Sequence, residues 1–227
     1  MCVSILMTSL LQKAIDVDTS VFLAVNGEHS AYWDTFMWMV SDKFIWIPMY
    51  CALVYVVLRN YNRRVIISCV VALCLVFLFT DAFCANVIRP YVGRLRPSNL
   101  DNPISSMVHI VANHRGGRFG FPSSHAANSW GMAFFVAYLF RRHWLTFFVM
   151  SWAIIVCYSR MYLGVHYPGD LLAGMFFGFL SSSVCYYIFV KVSGHKTAPD
   201  LKHPYLPLWI GSVTMFIIIV ASIFVRV

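Results

Sequence analysis

The sequence predicts an all-α integral membrane protein, a bundle of about six transmembrane helices preceded by an N-terminal interfacial helix. Of its 227 residues, 60% are hydrophobic and only 11% are charged, whereas a soluble domain is about one quarter charged. The apolar residues form continuous runs, while a membrane β-barrel would show alternation. A chain this apolar cannot cover itself with polar surface, so contact with lipid is expected.

Six apolar runs define the predicted spans. They cover residues 44–58, 65–84, 126–140, 145–158, 171–190 and 206–225. A membrane helix needs about 20 apolar residues, so the first, third and fourth runs are short. The first run is expected to borrow from residues 33–42, and five spans remain an alternative.

Residues 1–31 have a different pattern. Leu10, Leu11 and Ile15 recur at helical spacing, and the charged residues Lys13 and Asp16 lie next to them in the sequence. This pattern is typical of a helix lying on the membrane surface, and a short helix packed in the bundle is the alternative. No second domain is indicated, so we expect one domain over residues 1–227, with the bundle at 44–225 and the functional motifs at 85–170.

The formal net charge is +8. Nucleic-acid binding is not expected, because the basic residues lie between apolar runs instead of on one solvated face. Contact with lipid headgroups and an anionic lipid substrate explain the charge better. No Cys/His spacing suits zinc, and no metal ligand set accompanies the motifs, so neither a cofactor nor a metal is expected.

Three arginines lie at the polar ends of apolar runs: Arg89, Arg96 and Arg160. A guanidinium is always charged and offers a planar fork that matches phosphate oxygens. Together they would offset a dianionic phosphate, and we predict that they bind one. Arg94, nearby in the sequence, is interpreted as a headgroup or loop arginine, like Arg115 and Arg118.

A serine turn precedes the third apolar run as Pro122-Ser123-Ser124-His125. Ser123 or Ser124 would cap that helix, whose first amides carry partial positive charge and favour an anion. We therefore predict that Ser123 and Ser124 bind phosphate. His125 would lie in the first turn, beside the phosphate, as a catalytic residue.

His166 and Asp170 are separated by Tyr167-Pro168-Gly169. Proline favours the first turn of a helix, which places the Asp170 carboxylate near His166. An Asp that accepts a proton from one ring nitrogen fixes the tautomer and leaves the other nitrogen free to attack. His166 and Asp170 are therefore candidate catalytic residues.

The second and fourth predicted spans end on the same side of the bilayer, so the three motifs should meet on one face. The opposite side carries eight basic residues, and the motif side carries six when Arg89, Arg96 and Arg160 are set aside. Positive charge favours the cytoplasmic side, so the active face is expected outside the cytoplasm. The eight are Arg59, Arg63, Arg64, Arg141, Arg142, Lys191, Lys196 and Lys202.

In order, the motifs Arg-x6-Arg-Pro, Pro-Ser-x-His and Ser-Arg-x5-His-x3-Asp resemble the signature of the type-2 phosphatidic acid phosphatase superfamily of membrane lipid phosphatases. The resemblance implies a metal-independent phosphohistidine mechanism, in which His166 attacks phosphorus and His125 protonates the leaving oxygen. It also implies that the phosphoryl oxygens are held by Arg89, Arg96, Ser123, the Ser124 amide and Arg160. Two positions differ from the family pattern: Arg89 replaces a usual lysine, and Ser124 replaces a frequent glycine.

The expected function is hydrolysis of a lipid phosphate in a bacterial inner membrane, with the site facing the periplasm or exterior. Undecaprenyl diphosphate and the phosphates of lipid A are the favoured substrates, and phosphatidylglycerol phosphate is a further candidate. A non-catalytic protein that binds or transports anionic lipids is the main alternative. An oxidative enzyme holding vanadate is a third hypothesis, against which membrane embedding argues. The oligomeric state is left open.

Overall fold

The computed structural model describes residues 2–195 and 200–227, and the chain is helical through most of them. Apart from one isolated antiparallel bridge between Leu95 and Phe119, these residues form no β-structure. The prediction of an all-α protein is confirmed. The helices are α1 (Cys2–Gly27), α2 (Ala31–Ser41), α3 (Ile47–Asn60), α4 (Arg63–Phe77), a π-helix (Leu78–Ile88), α5 (Arg89–Val92), α6 (Ser124–Phe140), α7 (His143–Tyr162), α8 (Pro168–Ser193) and α9 (Leu206–Phe224).

Four of the described helical segments are long and apolar enough to cross a membrane: Arg63–Val92, His143–Tyr162, Pro168–Ser193 and Leu206–Phe224. The other two predicted spans correspond to α3, with 14 residues, and α6, with 17 residues. At 1.5 Å per residue they measure about 21 and 26 Å, less than the roughly 30 Å of a hydrocarbon core. The chain is a multi-pass membrane protein, and among the described residues four of the predicted spans are long enough to cross the hydrocarbon core, while two are shorter.

The first predicted span does not borrow from residues 33–42. The chain leaves the helix at Asp42, whose carboxylate accepts a hydrogen bond from the Phe44 amide at 2.9 Å. A new helix, α3, begins at Ile47, with Pro48 in its first turn. Proline is favoured there because its missing N–H has no intrahelical acceptor to lose.

The second predicted span is longer than expected. The helix continues beyond residue 84 as the π-helix and α5, and it ends only at Gly93, which takes a left-handed conformation with φ of 64°. Arg89 therefore lies on a helix, and the loop that follows begins at Gly93. π-Helical segments are frequent at functional sites, and this one ends at a predicted phosphate ligand.

The centre of the bundle is the contact between α6 and α8. Gly174 and Gly178 on α8 face the backbone of α6. A Cβ at Gly174 would lie 2.6 Å from the Ser123 carbonyl oxygen, and one at Gly178 would lie 2.6 Å from the Ala127 carbonyl oxygen. This Gly-x-x-x-Gly motif is therefore a close-packing device, which lets two membrane helices approach at backbone distance.

Helix α1 packs on the bundle through its C-terminal half. Phe22 is fully buried there against Val108 and Tyr167, while Leu10 and Leu11 are exposed. The C-terminal half of α1 therefore packs on the bundle, as the alternative predicted. The location of α1 at the membrane surface stays a prediction. Lys196, one of the basic residues counted for sidedness, lies outside the described residues.

The packing of α6 on α8 leads to a test. Gly178→Ala should lower the free energy of unfolding by about 1–3 kcal/mol, because its Cβ would overlap backbone atoms that cannot move aside. Thermal unfolding in detergent measures this change. Gly27→Ala is the matched control, because a Cβ there meets no atom within 4 Å. Equal melting temperatures for the two variants would contradict the packing described above.

Candidate active site

The three motifs meet at one end of the bundle, where α6 begins, where α7 leads into α8, and where the α4–α5 segment ends. The amide of Ser123 donates to the backbone carbonyl of Asp170 at 3.0 Å. This bond joins the start of α6 to the first turn of α8. The expectation that the motifs share one face is confirmed.

The serine turn has the geometry predicted for a helix start. Ser123 is the N-cap of α6, and its hydroxyl accepts from the Ala126 amide at 3.4 Å. Arg89 reaches this turn from α5: its Nε donates to the Pro122 carbonyl at 3.0 Å and its Nη2 to the Ser124 hydroxyl at 2.8 Å. The Ser124 side chain, for which only the amide was expected to matter, therefore anchors Arg89.

His166 and Asp170 are buried, with 1% and 0% of their side-chain surface exposed. His166 Nδ1 lies 3.3 Å from Asp170 Oδ2, which also accepts from the Tyr167 amide at 3.1 Å. On the other side of the ring, Nη1 of Arg96 lies 3.0 Å from Nε2. Because a guanidinium can only donate, Nε2 is the acceptor and Nδ1 carries the proton, as assigned from this network.

Burial and neighbouring positive charge affect both members of the His166–Arg96 pair. Burial, followed by the charges of Arg96, Arg160 and Arg89, holds the pKa of His166 well below its ordinary value of 6.5. Burial, followed by repulsion from Arg89, lowers the pKa of Arg96 to about 10. At neutral pH His166 is therefore uncharged, with a free electron pair on Nε2, and Arg96 remains a cation.

Arg160, near the end of α7, is 6% exposed. Its Nη1 donates to the hydroxyl of Ser41 on α2. Within the described part of the chain its Nε is a buried donor without a hydrogen-bond partner. A buried donor of this kind is costly unless an acceptor is supplied, and an oxygen of a bound phosphate is such an acceptor.

A cavity of about 640 Å³ opens beside these groups. Arg89, Arg96, Ser124 and His125 are among its polar lining residues, with Lys43 and Asp81. Apolar and aromatic side chains of the bundle also line it. These include Trp46, Tyr50, Phe77, Met132, Trp152 and Val156.

The predicted residues thus fall into two groups. Arg89, Arg96, Ser124 and His125 face the cavity, whereas Ser123, Arg160, His166 and Asp170 are not among its lining residues. Arg96 belongs to both regions, because it lines the cavity and contacts His166 Nε2. Arg96 is thus the arginine that connects the cavity to His166.

Arg94 lies in the loop after α5, as one interpretation had it, but its side chain is turned to the site and not to a headgroup. Its Nη1 pairs with Asp170 Oδ1 at 2.9 Å, and its Nη2 pairs with Asp18 of α1. The motif spacing identified Arg89 and Arg96 but carried no signal for Asp18, which is 76 positions from Arg94.

Gly120 is a second residue that sequence reasoning missed. A Cβ at this position would lie 2.8 Å from Asp170 Oδ2 and 3.6 Å from His166 Nδ1. A side chain there would push into the His166–Asp170 contact. The signal was its place directly before Phe-Pro-Ser-Ser-His, where a tight backbone approach favours glycine.

The donor set of the site suits an anion better than a metal ion. Across residues 2–195 and 200–227, no group of three or more His, Cys, Asp or Glu side chains is arranged to hold a metal. The side chains that converge are guanidiniums and hydroxyls, which bind phosphate oxygens.

Known proteins are similar to this chain in sequence. The chain is 43% identical over 222 residues to the lipid A 4'-phosphatase of Bacteroides thetaiotaomicron, covering 94% of this chain and 99% of that protein. It is 28% identical over 180 residues to the lipid A 4'-phosphatase of Porphyromonas gingivalis, covering 79% and 76% of the two chains.

A solved structure has the same fold. The crystal structure of a transmembrane PAP2-type phosphatidylglycerolphosphate phosphatase from Bacillus subtilis superposes with a TM-score of 0.60 at 19% identity, over 79% of this chain and 88% of that one. The family model of the PAP2 superfamily matches residues 69–193, which include every predicted catalytic and phosphate-binding residue. Motifs, fold and relatives agree, and the chain belongs to the PAP2 superfamily.

Proposed function

We propose that this membrane lipid phosphatase removes a phosphate group from lipid A, through a phosphohistidine formed on His166. The proposed reaction rests on one observation: in the buried His166 ring, Nδ1 contacts the Asp170 carboxylate and Nε2 contacts the Arg96 guanidinium. This geometry offers a neutral nitrogen nucleophile beside a phosphate-binding cation. The choice of lipid A is supported by the 43% identical relative that acts on it.

In the first step, the Nε2 electron pair of His166 attacks phosphorus as phosphate takes over the contact that Arg96 makes with Nε2. A nitrogen–phosphorus bond forms and the bond from phosphorus to the lipid oxygen breaks. His125 gives its proton to that oxygen, and Asp170 stabilises the positive charge that develops on His166. In the second step, His125 takes a proton from water, which attacks phosphorus and releases inorganic phosphate and His166.

The phosphoryl oxygens are held by Arg89, Arg96 and Arg160 together with Ser123 and Ser124. The unpartnered Nε of Arg160 gains its acceptor in this way. Preorganised cations in a site with little water stabilise the charge that builds up in the transition state. The mechanism asks for no metal ion, because these groups supply the positive charge.

The cavity suits a lipid. Its polar lining residues, Arg89 and His125 among them, would receive the phosphate, and its apolar lining residues would receive the region next to it. The excess of basic residues on the opposite side supports placement in an inner membrane with the site facing the periplasm. The whole chain would act as one domain, with residues 85–170 carrying the motifs.

The proposal predicts phosphate release that needs no divalent metal. Purified protein in detergent with EDTA should release inorganic phosphate from lipid A faster than from undecaprenyl diphosphate or phosphatidylglycerol phosphate. His166→Ala should lower the rate by about a thousandfold or more, because it removes the attacking atom. His143→Ala is the matched control, since His143 is exposed at the start of α7, at the other end of the bundle from the site.

The outcomes separate the hypotheses. Faster release from undecaprenyl diphosphate would keep the mechanism and change the substrate. Release that His166→Ala leaves intact would overturn the phosphohistidine. Binding of these lipids without any release would favour the lipid-binding alternative.

A second prediction concerns pH. Because the pKa of His166 is lowered by burial and by Arg96, the acid limb of kcat/KM should lie below pH 6.5, where an ordinary histidine titrates. Arg96→Gln removes a positive charge and a donor to Nε2, so the pKa of His166 should rise and the acid limb should move to higher pH. The profile of each protein is measured with lipid A from about pH 4.5 to 8. An acid limb that Arg96→Gln leaves in place would show that His166 does not govern it.

A further inference from the structure

We infer that the N-terminal helix α1 is part of the active site, and that its Asp18 is a positioning residue that acts on the His166–Asp170 pair through Arg94. The inference deepens the proposed function and rests on it. It concerns a helix outside the residues matched by the family model, 69–193. It also assigns roles to two side chains that the motifs do not contain.

Three charged side chains form a continuous chain from α1 to the catalytic pair. Asp18 Oδ2 pairs with Arg94 Nη2, and Arg94 Nη1 pairs with Asp170 Oδ1 at 2.9 Å. The other oxygen of Asp18 accepts from the Gly169 amide at 2.7 Å. Asp18 therefore holds both the arginine that binds Asp170 and the backbone immediately before Asp170.

The two carboxylate oxygens of Asp170 have different partners. Oδ1 receives Arg94, while Oδ2 faces His166 Nδ1 and the Tyr167 amide. With Oδ1 fixed, the carboxylate cannot rotate without breaking an ion pair in a place where its side chain is 0% exposed. A buried charge that loses its partner is strongly destabilised, so Arg94 locks the orientation of Asp170 toward His166.

Asp18 also sets the net charge of the ion-paired side chains next to His166. Arg94 alone would neutralise Asp170 and leave it a weak partner for the positive charge that forms when Nε2 bonds to phosphorus. With Asp18 on its other side, Arg94 is shared between two carboxylates, and the trio keeps one net negative charge. The side chains of Arg94 and Asp18 are only 25% and 15% exposed, so water screens this charge incompletely.

One face of α1 is built for this contact. Asp18, Phe22 and Asn26 lie four residues apart and therefore on the same side of the helix. Phe22 packs edge-on against the ring of Tyr167, with 5.3 Å between ring centroids, and Arg94 lies 4.1 Å above that ring. Asn26, one turn later, donates to the carbonyl of Tyr162 at 2.8 Å.

This face of α1 contacts the segment between α7 and α8 at both of its ends. Asn26 holds the end of α7, and Phe22 and Asp18 hold Tyr167 and Gly169 around the start of α8. His166 lies between these points in the chain. Its orientation therefore depends on a helix that precedes the first motif by more than sixty residues, since α1 ends at Gly27 and the motif starts at Arg89.

The test compares Asp18→Asn with Asp16→Asn in the full-length protein in detergent. Asp16 is exposed on the same helix, where Gln12 is its partner, so it is a matched loss of charge. Asp18→Asn should lower kcat for phosphate release from lipid A about 10- to 100-fold, as expected for loss of a group that supports a catalytic residue. KM should change less than about twofold, because Asp18 does not touch the substrate.

Three further variants show whether the effect depends on the charge of Asp18 and passes through Arg94. Asp18→Glu keeps the carboxylate and should retain more of kcat than Asp18→Asn. If Asp18 acts through Arg94, Asp18→Asn combined with Arg94→Gln should be no slower than Arg94→Gln alone, because the two losses are not additive. Additive losses, or equal kcat for Asp18→Asn and Asp16→Asn, would overturn the inference while leaving the proposed function intact.

A spectroscopic readout separates the two proposals. The charged groups around His166 are Asp170, Arg96, Arg160, Arg89 and, when protonated, His125. Removing the negative charge of Asp18 should lower the pKa of His166, measured by nitrogen NMR of labelled histidine, relative to Asp16→Asn. If the wild-type protein hydrolyses no lipid, the proposed function fails and this pKa difference still decides the inference: no difference between the two variants overturns it.

Discussion

The close approach of α6 to α8 is the constraint on which the rest of the structure depends. Gly174 and Gly178 bring the two backbones within a distance that no side chain would permit. At the end of this contact, the Ser123 amide bonds to the Asp170 carbonyl. The helix that carries Ser123 and His125 is thereby fixed against the helix that carries Asp170. Small residues serve this purpose in membranes, where apolar burial gives no net drive for helices to associate.

A second constraint is electrostatic. Arg96 and Arg160 are buried, and Arg89 is half-buried beside them. Guanidiniums in such a place repel one another and lose hydration, so they are stable only where carbonyl and hydroxyl oxygens accept their hydrogen bonds. Arg89 is held by Pro122 and Ser124, and Arg96 by the carbonyls of Phe119 and Val165. A bound dianion would relieve the same repulsion, which is consistent with the proposed phosphate site.

The carboxylates of the site come from more distant parts of the chain than its arginines do. Asp170 reaches His166 directly, and its second oxygen is connected through Arg94 to Asp18 on α1. The family signature contains only residues of the motifs, whereas the network of ion pairs extends to Asp18 on α1. The positioning residue that we infer, Asp18, thus lies on a helix whose own sequence looks like a surface element.

The sequence alone determined the helical class and the membrane setting, and it picked out the residues proposed for the phosphate site, because apolar runs and short motifs are local signals. The spacing of Gly174 and Gly178, close to one helical period, is also visible in the sequence. Tertiary structure decided what depends on pairing across the chain. Asp18, Arg94 and Asp170 are separated by 76 positions at each step, and no local pattern records which carboxylate an arginine will meet. The break between α2 and α3 and the extension of the second span to Val92 were likewise set by capping at Asp42 and by the left-handed turn at Gly93.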